Sequence, residues 1–225
     1  MARAGRAASI LVILAANPLL GQTSEINFTA VSANVAAPGS PVSIRLNRWS
    51  TDEERAPVLA ALNPAPADPA AASSASAPGQ AARGAAGRGR GGAAAVPLTP
   101  IAAMSAAIAR APTVGYIWTT DVTGYSIKYA YHSSSPAGER IVLVTDRRLG
   151  AYSPGWKPAA AAAAAGAPAK PADYDFTLVE IRMDPRGAGE GKTSLTTKVV
   201  ADNDARTVAL ENYAAAPAIL EHVKR

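Results

Sequence analysis

The segment "PVSIRLNRW", residues 41–49, alternates strictly between apolar and polar side chains. Val42, Ile44 and Leu46 fall on one side of an extended chain, and the residues between them fall on the other. A period of two is typical of a β-strand with one buried and one solvated face. This segment therefore predicts a sheet that covers a core on one side only, which is the usual property of antiparallel sheets.

Further strand-like runs lie on both sides of this segment. They are Ile26–Val35, Val114–Thr119, Tyr125–His132, Arg140–Asp146, Tyr174–Met183, Thr193–Val200, Thr207–Tyr213 and Ala218–Val223. Short polar turns join most of them, and parallel strands would need much longer crossovers. We predict a mainly β fold: a single antiparallel β-sandwich or barrel of about nine strands. The spacing does not separate these two architectures.

Two short helices are predicted beside the strands. In "RWSTDEERAPVLAAL", residues 48–62, either Ser50 or Thr51 can cap a helix, because each is followed three residues later by a glutamate. Pro57 predicts a break or a kink in that helix. The second helix is predicted in "LTPIAAMSAAIARAP", with Thr99 as its N-cap. We expect both helices to pack as one patch against the sheet.

Two low-complexity segments interrupt the domain. Residues 63–97 contain 28 Ala, Gly, Pro or Ser among 35 positions, which predicts a disordered linker. Residues 154–172 carry seven consecutive alanines between prolines and predict a surface loop. Residues 23–225 are thus interpreted as one β-rich domain with two insertions.

The N-terminus has the features of a secretory signal peptide. Arg3 and Arg6 precede the apolar run Ala7–Ala16, and small or polar residues follow around Gly21. We interpret residues 1–22 as the signal and expect export to the periplasm or the medium, with no transmembrane segment in the mature chain. The chain has no cysteine, which excludes thiolate zinc sites, cysteine catalysis and an N-terminal lipid anchor.

The net charge of +5 does not indicate a nucleic-acid-binding face. Without the signal arginines and the charged linker residues, 17 basic residues stand against 16 acidic ones. Nucleic-acid binding needs clustered basic charge, so we predict no nucleic-acid partner. The partner is otherwise unknown, and an envelope protein or a small molecule is the expected class.

The candidate ligand-binding residues are Tyr125, Tyr129, Tyr131, Arg147 and Arg148. Alternation places the three tyrosines on one face of one strand, where they could stack on a sugar or line an apolar cavity. Such tyrosines could equally fill a sheet core. The two arginines follow a strong strand and could clamp a carboxylate or phosphate, or form ordinary surface ion pairs.

Other motifs give little support for catalysis. "RGAGEGKTS", residues 186–194, lacks the first glycine of a P-loop and is followed by β-type sequence, so we interpret it as a hairpin loop. His132 and His222 are the only histidines, and no nucleophile elbow or metal-binding spacing accompanies them. We predict no catalytic residue, no metal ligand and no cofactor.

The segments "GSPVSIRLNRWSTDEER", "RIVLVTDR", "DYDFTLVEIRMD", "GEGKTSLTTKVV" and "VALENY" together resemble uncharacterised secreted bacterial proteins. The resemblance implies export and no particular activity. The first functional hypothesis is an exported, non-enzymatic β-domain with a binding or structural role in the cell envelope or outside the cell. The alternatives are a small-ligand binder that uses the tyrosine face, and a hydrolase with a histidine base.

Overall fold

A computed structural model describes residues 25–63, 98–119, 124–151, 153–159 and 174–225. The interpreted signal peptide, linker positions 64–97 and loop positions 160–173 lie outside these residues. The elements are β1 (Ile26–Ser32), β2 (Pro41–Leu46), α1 (Asp52–Leu62), α2 (Pro100–Arg110), β3 (Gly115–Trp118), β4 (Tyr125–Ser135), β5 (Gly138–Thr145), a short 3-10 helix (Pro154–Trp156), β6 (Leu178–Met183), β7 (Ala188–Thr193), β8 (Val199–Asp202), β9 (Thr207–Leu210) and β10 (Leu220–Lys224).

Eight of these strands form a closed antiparallel barrel. Strands β1 to β7 pair with their neighbours in chain order, and β10 pairs with both β7 and β1 to close the wall. Strands β8 and β9 form a separate hairpin inserted between β7 and β10. The mainly β antiparallel prediction is confirmed, and the barrel is the correct one of its two architectures.

The barrel interior is filled by the inward side chains of its strands. Phe28, Ile44, Ile117 and Leu143 belong to this core, and every buried member of the core is at most 5 % exposed. Strand β5 ends at Thr145, and at this end the barrel is covered by Leu149 and by Trp156 of the 3-10 helix. An eight-stranded barrel is just wide enough for its own side chains, which explains the solid interior.

Strand β7 corrects the interpretation of residues 186–194 as a hairpin loop. Residues 188–193 form a barrel strand, and the turn occupies only the residues before it, where Asp184 accepts hydrogen bonds from the backbone of Arg186 and Ala188. A side chain at Gly189 would lie 2.1 Å from the carbonyl oxygen of Arg182. Glycine is therefore used here because the neighbouring strand approaches closely.

The two helices and the β8–β9 hairpin cover one part of the outer wall. Val58 of α1, together with Met104 and Ile108 of α2, packs against outward residues of the barrel such as Val142 and Val144. The predicted helix patch is thereby confirmed. Helices bury only a stripe of their surface, so this second core forms where α1 and α2 meet the sheet.

The start of α1 follows the predicted capping pattern. Thr51 is the N-cap: its hydroxyl accepts a hydrogen bond from the backbone of Glu54, whose carboxylate accepts one from the backbone of Thr51. Glu54 also forms a two-pronged pair with Arg48, and this hydrogen bond lowers the pKa of the Glu54 carboxyl. Of the two alternatives predicted at Pro57, the break is wrong, because α1 continues through Pro57 to Leu62.

Candidate functional site

A β-bulge in β4 divides the three candidate tyrosines between two environments. Ile127 pairs with Thr145 but Tyr129 pairs with Val144, so β4 contains one residue more than β5 at this point. An extra residue reverses the side-chain alternation beyond it. Tyr125 therefore points into the barrel core, whereas Tyr129 and Tyr131 pack on the outside with the helices. The single tyrosine face predicted from alternation is wrong.

Tyr125 and Arg147 lie together at one end of the barrel. The Tyr125 ring is 1 % exposed, and its hydroxyl accepts a hydrogen bond from the backbone of Gly150 at 3.1 Å. The guanidinium of Arg147 lies 5.1 Å from the centre of that ring and donates to the carbonyl of Gly124. Arg148 follows and is half-buried. Arg147 thus connects the segment after β5 to the segment before β4.

Tyr129 is buried in the second core. Its hydroxyl and that of Thr207, on β9, are 2.7 Å apart and form a hydrogen bond. Burial raises the pKa of Tyr129, because the phenolate would lose its hydration there. This residue ties the β8–β9 hairpin to the barrel.

Tyr131 is the one candidate tyrosine that lines an open groove in the described structure. The groove has a volume of about 440 Å³ and is also lined by Asp52, Arg55, Leu59 and Arg206, among others. The Arg55 guanidinium lies 4.9 Å from the centre of the Tyr131 ring and pairs with Asp52. The structure therefore does not bring the five candidate residues together into one site.

The two histidines lie at different places. His132 lies near the end of the barrel opposite Trp156, where its ring stacks on Trp49 at 5.0 Å between centres and its Nε2 is 3.2 Å from Glu139 Oε2. Arg225 contacts the same carboxylate at 3.4 Å. His222 is exposed at a bulge in β10, with a positive φ of 53°. In the described residues neither histidine is hydrogen-bonded to both a carboxylate and a hydroxyl.

The wall formed by β1, β2 and β3 carries an aromatic pair that the sequence prediction did not select. Tyr116 is 37 % exposed, and its ring centre lies 5.4 Å from that of Trp118 with the planes tilted by 36°. Both are outward residues of β3, because Gly115 before Tyr116 and Ile117 between the two rings are buried. The Arg45 guanidinium of the neighbouring strand lies 5.5 Å from the Trp118 ring centre.

Polar residues surround this aromatic pair on the same wall. Asn27, Thr29 and Ser43 are exposed, and the cross-strand pairs are Asn27 with Arg45, Thr29 with Ser43, and Ser43 with Trp118. The alternation of β2 already indicated a solvated face here. The sequence could not predict that β3, with Tyr116 and Trp118, pairs with β2, because the two strands are separated by more than sixty residues. We call Asn27, Thr29, Ser43, Arg45, Tyr116 and Trp118 the aromatic wall.

A second surface feature is the groove between the two helices. It has a volume of about 630 Å³ and is lined mainly by small apolar residues of α1 and α2 and by Pro112. Glu54 and Arg110 are its charged lining residues. Alanine side chains leave room between the helices, which explains the groove without a bound group.

No group of three or more His, Asp or Glu side chains in the described residues is placed to hold a metal ion. Among the described helices, none is long and apolar enough to cross a membrane. No protein-family model matches the chain, and searches of curated proteins and of solved structures also give no match.

Proposed function

We propose that the chain is an exported β-barrel domain that works by binding through its outer wall, in the cell envelope or outside the cell, rather than by catalysis. The filled interior supports this proposal. The buried residues of the barrel core are at most 5 % exposed, so in the described barrel these side chains fill the interior. A partner or ligand of the described barrel must therefore contact its outside.

The outer wall is not equally available. The helices and the β8–β9 hairpin cover the outward residues of β5 and β6, including Val142 and Leu178. The wall of β1, β2 and β3 has exposed outward positions, and its strands carry the aromatic wall. Exposed aromatic rings among polar groups are typical of interaction surfaces, because they provide apolar area with little conformational entropy to lose.

Export is tested by cell fractionation with intact-mass measurement. The full chain should give an exported species that has lost the residues up to Gly21 or one of the two positions after it. Leu14→Arg should leave the uncleaved precursor inside the cell, because it places a charge in the apolar run. Leu98→Arg is the matched control, because Leu98 is 65 % exposed in the folded domain. This variant should be exported normally. Retention of the unmodified chain in the cytoplasm would contradict the proposal.

The packed interior, on which this proposal depends, is tested by native mass spectrometry of the exported protein. We expect the barrel to carry no small apolar molecule after purification, since its interior is packed. A stoichiometric apolar ligand that remains until the barrel is unfolded would show that the interior opens, and it would contradict this part of the proposal.

Small-ligand binding is a second candidate function, and the Tyr131 groove favours it. The groove combines an aromatic ring, an apolar side chain and two arginines in about 440 Å³. That volume suits a small ligand. If this function holds, Tyr131→Ala should abolish retention of a ligand by the exported protein, whereas Tyr116→Ala on the aromatic wall should leave it unchanged.

A further inference from the structure

We propose that the aromatic wall binds a glycan whose sugars carry carboxylates. This inference rests on the proposed function only in using the outer wall for binding. The ligand class follows from three properties of the wall: the exposed Tyr116 ring with the half-buried Trp118 ring beside it, a field of short polar side chains, and an arginine whose terminal nitrogens make no hydrogen bond to a described residue.

The ring faces suit sugar rings. Tyr116 and Trp118 lie two positions apart on one strand, so both project from the same side of the sheet with centres 5.4 Å apart. A pyranose ring is about as wide as one aromatic ring and presents C–H groups on its faces, which pack on aromatic faces. Two neighbouring tilted rings therefore suit an oligosaccharide better than they suit a single small apolar molecule.

The polar residues suit the hydroxyls of a sugar. Asn27, Thr29 and Ser43 are exposed outward residues of adjacent strands, and Ser43 lies directly opposite Trp118. None of their side chains is hydrogen-bonded to another described residue in this structure. Amide and hydroxyl groups both donate and accept, which matches the mixed hydrogen-bonding pattern of sugar hydroxyls.

Arg45 determines the charge of the proposed ligand. Its guanidinium lies over the Trp118 ring, and its Nε forms a long ion pair of 3.6 Å with Glu25 in which both side chains are about half exposed. An exposed pair of this kind contributes little. The two terminal nitrogens make no hydrogen bond to a described residue, so they can take a carboxylate in the two-pronged geometry that arginine favours.

A second cation lies on the same wall. Lys224 of β10 is exposed and pairs across the strands with Thr29, so it extends the basic side of the polar field. The acidic Glu221 is further along β10, opposite Val31. Glu25 also lies beside this wall, and a ligand carboxylate would replace it as the partner of Arg45, because their long, exposed pair contributes little. Arg45 with Lys224 then favours an acidic glycan over a neutral one.

The test measures binding of three oligomers to the mature chain by titration calorimetry. The probes are oligogalacturonate, which has both sugar rings and carboxylates; a neutral β-glucan oligomer, which has the rings alone; and oligoglutamate, which has the carboxylates alone. We expect oligogalacturonate to bind and the other two to bind at least about tenfold more weakly. Tyr116→Ala should weaken oligogalacturonate binding about tenfold, which corresponds to the loss of one aromatic contact.

Substitutions of Arg45 separate charge from geometry. Arg45→Gln should weaken oligogalacturonate binding by about tenfold or more, and Arg45→Lys should weaken it less, because lysine keeps the charge without the planar fork. Arg186→Gln removes the same charge from an exposed turn, and Leu98→Ala removes an exposed apolar side chain just before α2; both controls should bind normally. Thermal unfolding of each variant checks that the barrel is intact.

Three results would overturn the inference. Oligoglutamate that binds as tightly as oligogalacturonate would mean that only charge is recognised. Equal binding of the neutral oligomer, with no effect of Arg45→Gln, would exclude a carboxylate. If none of the three probes binds the folded protein, the aromatic wall does not bind this ligand class. Such a result leaves the proposed function intact, because fractionation tests export and native mass spectrometry tests the packed interior.

Discussion

Replacing Glu180 by glutamine should destabilise the protein by about 3 kcal/mol, because this carboxylate is the buried centre of an ionic network. Its side chain is 0 % exposed and points from β6 towards the β8–β9 hairpin. Oε1 accepts hydrogen bonds from Arg140 at 3.0 Å and from Arg182 at 2.9 and 3.1 Å, and Oε2 accepts one from the backbone of Leu210 at 3.1 Å.

The size of the loss in free energy of unfolding follows from the hydrogen bonds of Glu180 that a glutamine cannot accept. Its amide has one acceptor oxygen, and the NH₂ group must face either the Leu210 N–H or the two guanidinium groups. Breaking a buried ion pair from one side costs about 3–5 kcal/mol. Arg182 is 52 % exposed and Arg140 is 21 % exposed, so both can recover some hydration and the lower end of that range applies.

Urea unfolding followed by tryptophan fluorescence measures this loss. With a slope of about 2 kcal/mol per molar, the midpoint should fall by about 1.5 M. Hydrogen exchange should also accelerate first at the amide of Leu210 and along β9, because Glu180 holds that hairpin against the barrel. The matched control is Glu25→Gln, whose carboxylate is about half exposed and 3.6 Å from the equally exposed Arg45, and which should cost less than about 1 kcal/mol.

Two results would refute this reasoning. A loss below about 1 kcal/mol for Glu180→Gln, or a loss no larger than that of the control, would mean that water replaces the carboxylate at little cost. Uniformly faster exchange over the barrel, with no earlier effect at β9, would mean that the network does not hold the hairpin specifically.

Three further outcomes are expected. Thr51→Ala should cost about 1 kcal/mol in urea unfolding, since it removes the N-cap of α1, whereas Thr51→Ser should cost much less. A hydrogen bond from the Ala205 backbone and a second from Arg140 hold the pKa of Asp202 below its usual value. The ionised carboxylate therefore contributes fully to the free energy of unfolding above about pH 4, and this contribution is lost as the pH falls through the lowered pKa. Asp202→Asn should flatten that part of the profile of stability against pH, and an unchanged profile would contradict the prediction. Deletion of Lys128 should remove the bulge in β4 and leave Tyr129 and Tyr131 outward, because Tyr129 would then follow Ile127 directly and still pair with Val144, so the variant should unfold cooperatively in a thermal scan; a deletion variant that has lost cooperative unfolding would contradict the bulge assignment.

The periodic parts of the sequence were enough to predict the class of fold. Strict alternation in β2 and the short turns after Thr113 indicated antiparallel strands, and the Thr51 capping pattern located the start of α1. Closure was not predictable, because it depends on pairing between β1 and β10, which lie almost two hundred residues apart. Strand β7 was missed because its glycines have no β propensity; they are explained by the close approach of β6 at Gly189 and of Leu220 in β10 at Gly191.

The tyrosine site failed for a different physical reason. A period of two assigns faces correctly only while the register of the pair is unbroken, and one extra residue near Lys128 reverses the assignment. Nothing in "YSIKYAY" marks the bulge, since it carries no glycine or proline. The position of Tyr131 beside Arg55 likewise depends on where α1 packs, which local sequence does not determine.

In a closed barrel of this size, the inward positions are constrained by packing, so information about binding must be sought among the outward ones. The outward residues of β4, β5 and β6 have a structural explanation, because the helices and the hairpin bury them in the second core. Tyr116 and Trp118 have no such explanation: they belong to an outer wall on which the described helices do not pack, and Tyr116 is more than one-third exposed. Large rings kept in water are compatible with folding but are not required by it. For this reason the aromatic wall, rather than the buried tyrosines, is the part of the molecule where a change of side chain should alter binding without altering the fold.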